Sequence, residues 1–173
     1  MEQMKRFRIR YASAFPNDNR TMATPLTSEQ ALLKARNWCA KQERNHSETR
    51  SKFYQWGLKT KEVEKIIAEL ITGGFINEER FAKQYAGGKF RIKKWGKMKI
   101  LNHLKQKNIS EYCIDKGMLE ITDADYKKTI KALLEKKAKV LNEKNPFVKK
   151  NKLARYLIGK GYEGEMVWEM VGA

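Results

Sequence analysis

The chain has 173 residues, of which 41% are hydrophobic and 33% charged, so it has enough apolar content for a folded core and is not disordered throughout. Lysine and arginine number 37 against 20 aspartate and glutamate, and the formal net charge of +17 favours an anionic partner, above all nucleic acid. No apolar stretch approaches the roughly 18 residues of a membrane span, and the two cysteines form no CxxC unit. We therefore expect a soluble protein of the reducing cytoplasm, with no membrane contact.

The first segment, residues 1–26, shows no helical period. Phe7, Ile9 and Tyr11 alternate with arginines, as in a short strand or an extended arm, and prolines then interrupt the pattern. We expect a basic and mobile N-terminal arm here, with a short hairpin as the alternative.

Helical patterns are frequent from residue 27 onward. Thr27 and Gln30 have the spacing of a capping box at the start of a helix. Asn77 and Ser110 are predicted to cap two later helices, and Asn145 caps another that has proline in its first turn.

An internal repeat of 51 to 53 residues relates these helices to one another. In each copy of the repeat, a helix ends at a residue that tolerates a positive φ, and an apolar residue follows directly. The apolar face of the next helix begins a few residues later. The corresponding residues are Phe53, Leu104 and Leu157; Gly57, Asn108 and Gly161; Leu58, Ile109 and Tyr162; Val63, Ile114 and Val167; and Ile67, Met118 and Val171.

The repeat predicts an all-α fold, an elongated tandem array of three three-helix repeats that each resemble a helix-turn-helix. We expect the repeats to span residues 27–74, 75–121 and 122–173. Gly87 and Gly88 fall inside the first helix of the second repeat, where glycine disfavours helix. The pair indicates either a kink in that helix or a close backbone approach.

The positive charge is concentrated in two stretches. Residues 80–110 hold ten lysines and arginines and no carboxylate, and residues 127–160 hold twelve with only two glutamates. A solvated, lysine-rich surface is the alternative interpretation, but the absence of acids in the first stretch favours a phosphate-binding surface. The candidate binding residues are Arg80, Lys83, Lys89, Arg91, Lys93, Lys94, Trp95, Lys97, Lys99, Lys105 and Lys107. A secondary basic surface is predicted at Lys149, Lys150, Lys152 and Arg155.

The histidines and cysteines give no sign of a metal or catalytic site. His46 and His103 have no second ligand at a suitable spacing. Cys39 lies on the apolar face of its helix and is expected in the core, and Cys113 has no histidine or aspartate companion.

The two clusters of carboxylates, at residues 78–79 and 123–125, lie at predicted helix starts, where the helix dipole favours acidic residues for structural reasons. The chain also has no phosphate-binding loop, dinucleotide turn or nucleophile elbow. We therefore predict that the protein is not an enzyme and needs no cofactor or metal.

Three segments of the second repeat carry a family resemblance. They are Gly74–Ala82 (GFINEERFA), the basic turn Lys89–Ile100, and Leu104–Ser110 (LKQKNIS). These segments resemble the RecX family, bacterial regulators of the RecA recombinase, and the resemblance extends from Thr27 to the C-terminus. His46-Ser47 and residues 155–162 are similar to the matching parts of the first and third repeats, whereas the chain departs from the family pattern at Lys94-Trp95, Lys97 and Asn108.

The resemblance implies a non-enzymatic inhibitor that lies in the groove of the RecA–DNA filament. It implies that the protein limits filament extension, ATP hydrolysis and strand exchange, and in this way restrains recombinational DNA repair and the SOS response. It implies the RecA filament and single- and double-stranded DNA as partners, with the candidate basic residues meeting phosphates or RecA, and we expect a monomer.

Two other functions remain as alternatives. One is a helix-turn-helix transcription regulator, which would read bases with the start of a helix; the third helices begin near Glu62 and Glu111, which are acidic at that end. The other is a nuclease, which would need a carboxylate cluster on the basic surface.

Overall fold

The computed structural model describes residues 26–172, and these form nine α-helices and no strand. The helices are α1 Ser28–Lys41, α2 His46–Gln55, α3 Thr60–Thr72, α4 Glu78–Lys93, α5 Lys97–Gln106, α6 Glu111–Met118, α7 Asp123–Val140, α8 Pro146–Gly159 and α9 Gly164–Gly172. We call α1–α3 unit 1, α4–α6 unit 2 and α7–α9 unit 3. The predicted all-α array of three-helix repeats is confirmed, and the arm predicted over residues 1–26 lies, except for Leu26, outside the described residues. Within residues 26–172 no helix is both long and apolar enough to cross a membrane.

Several helices begin at the caps that the sequence predicts. The Thr27 hydroxyl accepts the Gln30 N–H at 3.3 Å, and the Gln30 side chain accepts the Thr27 N–H at 3.1 Å, which completes the capping box. Asn77 and Ser110 cap α4 and α6 through their side-chain oxygens, and Asn145 caps α8 ahead of its first-turn proline. Local sequence therefore fixes where these helices start.

Each unit has the same turn between its second and third helices. Gly57, Asn108 and Gly161 have φ values of 83°, 56° and 91°. The N–H of the next residue donates to a carbonyl five positions earlier, as in a Schellman helix ending. These bonds, Leu58 to Phe53, Ile109 to Leu104 and Tyr162 to Leu157, are each 3.2 Å long.

Unit 1 packs around a core of its own, whereas units 2 and 3 share one. Phe53 and Leu70 are completely buried in the first core. The second core runs from α4 to α9, and Tyr126 of α7 contacts both Phe90 of unit 2 and Tyr162 of unit 3, at ring-centroid distances of 5.9 and 5.1 Å. Units 2 and 3 therefore form one packed body, to which unit 1 is joined.

Polar contacts join unit 1 to unit 2. The Arg80 guanidinium pairs with Glu43 and donates to the Gly74 carbonyl at 2.9 Å. His46 Nδ1 lies 3.1 Å from Glu78 Oε1. We call this contact region the polar joint.

Helix α4 continues unbroken through Gly87 and Gly88. A Cβ at Gly87 would lie 2.5 Å from an Arg91 guanidinium nitrogen, because that side chain folds back along the helix, whereas a Cβ at Gly88 would meet nothing within 4 Å. The helix is therefore not interrupted at the glycine pair, and no second backbone approaches either glycine; the neighbour of Gly87 is the end of a flexible side chain.

Candidate nucleic-acid interface

Trp95, in the short connection between α4 and α5, is half-buried and surrounded by basic side chains. Its ring centroid lies 4.6 Å from that of His103. The ammonium groups of Lys89 and Lys99 lie over the Trp95 ring, 5.3 and 4.9 Å from its centroid. These positions meet because Lys99 and His103 are four residues apart on α5 and therefore share a face.

Tyr85 extends this surface along α4. The Lys89 ammonium, one helical turn further on, lies 5.0 Å from the Tyr85 ring centroid, and Lys107 reaches the same ring at 5.8 Å. The Tyr85 hydroxyl is neutral at physiological pH, and burial raises its pKa further. We call this set the Trp95 cluster: Tyr85, Lys89, Trp95, Lys99, His103 and Lys107.

The three lysines of the Trp95 cluster are half-buried. Within residues 26–172 none of them has a carboxylate oxygen within 4.0 Å. An aromatic face attracts an ammonium without neutralising it. The cluster is therefore a source of positive potential backed by flat rings, which suits a phosphate chain or an acidic protein surface.

Other candidate residues are neutralised by carboxylates. The hydrogen bond from Lys83 holds the pKa of Glu79 below its usual range, and the bond from Lys97 does the same for Asp123, so both acids are charged at neutral pH. The segment from Arg80 to Ser110 contains no acidic residue, but acids from outside the segment pair with four of its cations in the folded protein. The pairs are Arg80 with Glu43, Lys83 with Glu79 at 2.6 Å, Lys97 with Asp123 at 3.0 Å, and Lys105 with Glu111 at 3.6 Å.

Arg91 and Lys94 do not contact the Trp95 ring but line a cleft between α4 and α7. The cleft has a volume of about 510 Å³ and is also lined by Lys128 and Lys136, together with two carboxylates. Lys93 lines another cleft, beside the polar joint, and Tyr85 and Lys89 of the Trp95 cluster also line it. The eleven candidate residues therefore fall into several local environments instead of forming one patch.

The predicted secondary surface lies on α8 and is only partly free. Lys152 pairs with Glu143 at 2.6 Å, and Lys150 donates to the Gly172 carbonyl at 3.5 Å. Lys149 is half-buried, and Arg155 is exposed.

The structure adds residues that the sequence reasoning did not select. Tyr85 and His103 join the Trp95 cluster, and the signal for both was the spacing of four residues to a lysine on the same helix. Lys128 and Lys136 join the α4–α7 cleft, and their spacing of eight residues, about two helical turns, could have placed them on one face.

The histidines and Cys39 have structural positions. His46 belongs to the polar joint and His103 to the Trp95 cluster. Cys39 is buried, as predicted, and burial raises the pKa of its thiol. Among the described residues, no three histidine, cysteine, aspartate or glutamate side chains converge as a metal site would require.

Comparison with known proteins identifies relatives of this chain. Residues 77–118 match the family model of the second three-helix domain of RecX, and residues 124–171 match that of the third. The chain is 37% identical over 118 residues to the regulatory protein RecX of Clostridium tetani, covering 66% of this chain and 51% of that protein. It is 30% identical over 146 residues to the regulatory protein RecX of Clostridium acetobutylicum, covering 82% and 67%. The chain thus spans about half the length of the first relative and two thirds of the second.

Solved structures have the same fold. A crystal structure of RecX from Lactobacillus salivarius superposes with a TM-score of 0.74 at 22% identity, covering 83% of this chain and 93% of that one. A second crystal structure, of a regulatory protein RecX, gives a TM-score of 0.72 at 23% identity, covering 84% and 73%.

Proposed function

Because the chain belongs to the RecX family, we propose that it is a non-enzymatic regulator of the RecA recombinase, which binds the RecA–DNA filament and limits filament extension, ATP hydrolysis and strand exchange. On this proposal it acts as a cytoplasmic monomer without a cofactor, and it restrains recombination and the SOS response. The partners are RecA and the phosphates of the DNA that the filament encloses.

The Trp95 cluster is the observation that supports this proposal most directly. Lys89, Lys99 and Lys107 are half-buried and are held over rings by contacts worth about 1–2 kcal/mol each. An ammonium can therefore leave its ring for a phosphate or carboxylate oxygen at that cost, and the new contact is a charge-assisted hydrogen bond. The rings remain in place as a flat apolar floor beneath the ligand.

The tandem arrangement supports binding to a long polymer. The Trp95 cluster lies in unit 2, the α4–α7 cleft lies between units 2 and 3, and the basic residues of α8 lie in unit 3. Several weak contacts on one chain reinforce one another when the partner spans all of them. Because most of these contacts are ionic, affinity should fall steeply with salt.

The test is inhibition of DNA-dependent ATP hydrolysis by RecA on single-stranded DNA. The variant is Lys89→Gln/Lys99→Gln/Lys107→Gln, and its matched control is Lys61→Gln/Lys65→Gln/Lys131→Gln, which removes three exposed charges elsewhere. The wild type and the control should inhibit at stoichiometric ratios, and the cluster variant should need about tenfold more protein, as expected for the loss of a few phosphate contacts. Circular dichroism should show the same helical content in all three.

Two outcomes would count against the proposal. If the wild type does not inhibit RecA at stoichiometric ratios, the regulatory role is wrong. If the control loses as much inhibition as the cluster variant, net charge drives binding and the Trp95 cluster is not the interface.

A further inference from the structure

Unit 1 has a second place where tryptophan and lysine side chains meet. A cleft of about 430 Å³ opens between α1 and α2, and it is remote in sequence from the Trp95 cluster. We call it the Trp38–Trp56 cleft, and its lining residues are Lys34, Asn37, Trp38, Lys41, Lys52 and Trp56.

Both tryptophans are fixed by the core of unit 1. Trp38 lies next to the buried Cys39 on α1, and Trp56 ends α2 with its ring 5.5 Å from that of the buried Phe53. Each side chain is half-buried, so part of the indole packs on the core and part lines the cleft. The rings are therefore held rigidly at an open surface.

The cleft is positively charged. None of its six lining residues is acidic, and three are lysines. The Lys34 ammonium lies 4.8 Å from the Trp56 ring centroid, and Lys52 donates to the side chain of Gln55 at 3.3 Å. The Lys34 ammonium thus covers one face of the Trp56 ring, and it has to move aside for a base to stack there.

A cation also lies over the ring of Trp38. The Arg44 guanidinium lies 4.1 Å from its ring centroid, is not among the groups that line the cleft, and pairs with Glu48 at 2.8 Å. The ion pair neutralises Arg44, so the free charge at this site comes from the lysines of the cleft.

We infer that the Trp38–Trp56 cleft binds single-stranded DNA, with bases stacking on the two indoles and the lysines meeting the adjoining phosphates. Aromatic platforms inside a basic groove are the means by which proteins hold single strands without reading sequence. Duplex DNA does not offer its base faces, because they are stacked on one another, and an acidic peptide has no rings to stack. The Asn37 amide adds a group that can donate to or accept from a base edge.

The cleft would act independently of the proposed filament interface. Unit 1 has its own core and meets unit 2 at the polar joint, whereas the Trp95 cluster lies on α4 and α5. Binding of single-stranded DNA at the cleft needs no RecA, so it can be tested with DNA alone. If the cleft does not bind DNA, the proposal that the protein regulates RecA is unaffected.

The test uses tryptophan emission from the full chain. The chain has four tryptophans, so the Trp95→Phe/Trp168→Phe variant reports on Trp38 and Trp56 alone. It is titrated with short oligothymidylate, with an abasic oligomer of the same length, and with oligoglutamate of similar charge. We expect oligothymidylate to quench the emission and the other two to leave it nearly unchanged.

A charge variant in the same background tests the lysines. Lys34→Gln/Lys41→Gln should weaken oligothymidylate binding about tenfold, whereas the matched control Lys61→Gln/Lys65→Gln, on the exposed side of α3, should weaken it less than threefold. No quenching, equal quenching by the abasic oligomer or by oligoglutamate, or equal weakening in the two lysine variants would each overturn the inference.

Discussion

The backbones of Gly96 and Gly161 lie in direct contact where the start of α5 meets the end of α8. The Gly96 N–H donates to the Lys160 carbonyl at 2.9 Å, and the Met98 N–H donates to the Gly161 carbonyl at 3.0 Å. A Cβ at Gly96 would lie 2.2 Å from the Gly161 carbonyl carbon, and a Cβ at Gly161 would lie 2.2 Å from the Lys99 Cβ. The joint between units 2 and 3 therefore requires glycine on both sides.

The first prediction concerns Gly96→Ala. Because the added methyl meets backbone that cannot move without breaking the two hydrogen bonds, we expect the free energy of unfolding in urea to fall by about 3 kcal/mol. Gly159→Ala is the control, since it lies in α8 with nothing within 4 Å of its Cβ position; it should be neutral or stabilising by up to about 1 kcal/mol. A Gly96→Ala protein as stable as the wild type would show that the contact is not tight in solution.

This contact marks the limit of what the sequence could predict. The repeat, the turns at Gly57, Asn108 and Gly161, and the caps follow from local patterns, and the structure confirms them. Gly96 looks in sequence like any loop glycine. Glycine is required at position 96 only because the turn at Gly161, 65 positions later, packs against it. No pattern in a single sequence indicates this contact.

The same limit applies to the candidate interface. The sequence predicted a basic surface from the lack of acids between Arg80 and Ser110. Glu43, Glu79, Glu111 and Asp123 lie outside that segment and neutralise four of its cations after folding. The sequence could not show the pairing of Arg80 with Glu43 or of Lys97 with Asp123, because these partners are distant in sequence. It also could not show that the rings of Trp95 and His103 meet. The candidate list as a whole stays a prediction.

The second prediction follows from the two separate cores. Phe53→Ala removes a fully buried ring from unit 1 and should cost about 3–5 kcal/mol. Since units 2 and 3 do not share this core, amide hydrogen exchange should accelerate across residues 28–72 and stay unchanged across α4–α9.

Leu104→Ala is the matched variant, because Leu104 occupies the corresponding position of unit 2 and is also fully buried. Here exchange should accelerate in both unit 2 and unit 3, which share the second core. If Phe53→Ala instead accelerated exchange throughout residues 26–172, the whole chain would unfold as one cooperative unit.

The third prediction concerns alkaline pH. Tyr126 is buried, its hydroxyl donates to Glu163 and accepts the Lys97 N–H at 2.9 Å, and burial, followed by the bond to Glu163, raises its pKa well above the usual value. Burial also raises the pKa of Tyr162. An unfolded tyrosine ionises near pH 10, so above that pH the unfolded chain loses protons that the native state keeps. Stability should then fall by about 1.4 kcal/mol per pH unit for each of these tyrosines.

Urea unfolding between pH 8 and about pH 11.5 measures this slope. Tyr162→Phe should reduce the slope by the contribution of one tyrosine, whereas Tyr112→Phe, at a position that is 63% exposed, should leave it unchanged. Equal slopes for the wild type and both variants would mean that the buried tyrosines do not control alkaline unfolding.

The last prediction uses the pairing of Lys83 with Glu79. Glu79→Gln removes the carboxylate that neutralises Lys83, 2.6 Å away, and so adds one free cation on α4, on the side near Tyr112 of α6. If Lys83 borders the interface, affinity for single-stranded DNA should rise about twofold, and the slope of log K against log salt should steepen by up to about one. Glu69→Gln, at an exposed position of α3, changes the net charge equally and should have a smaller effect. If the salt slope changes equally in both variants, DNA binding responds only to the net charge of the protein. If the slope changes in neither variant, Lys83 lies outside the contact with DNA, and binding depends on the cations that have no carboxylate partner.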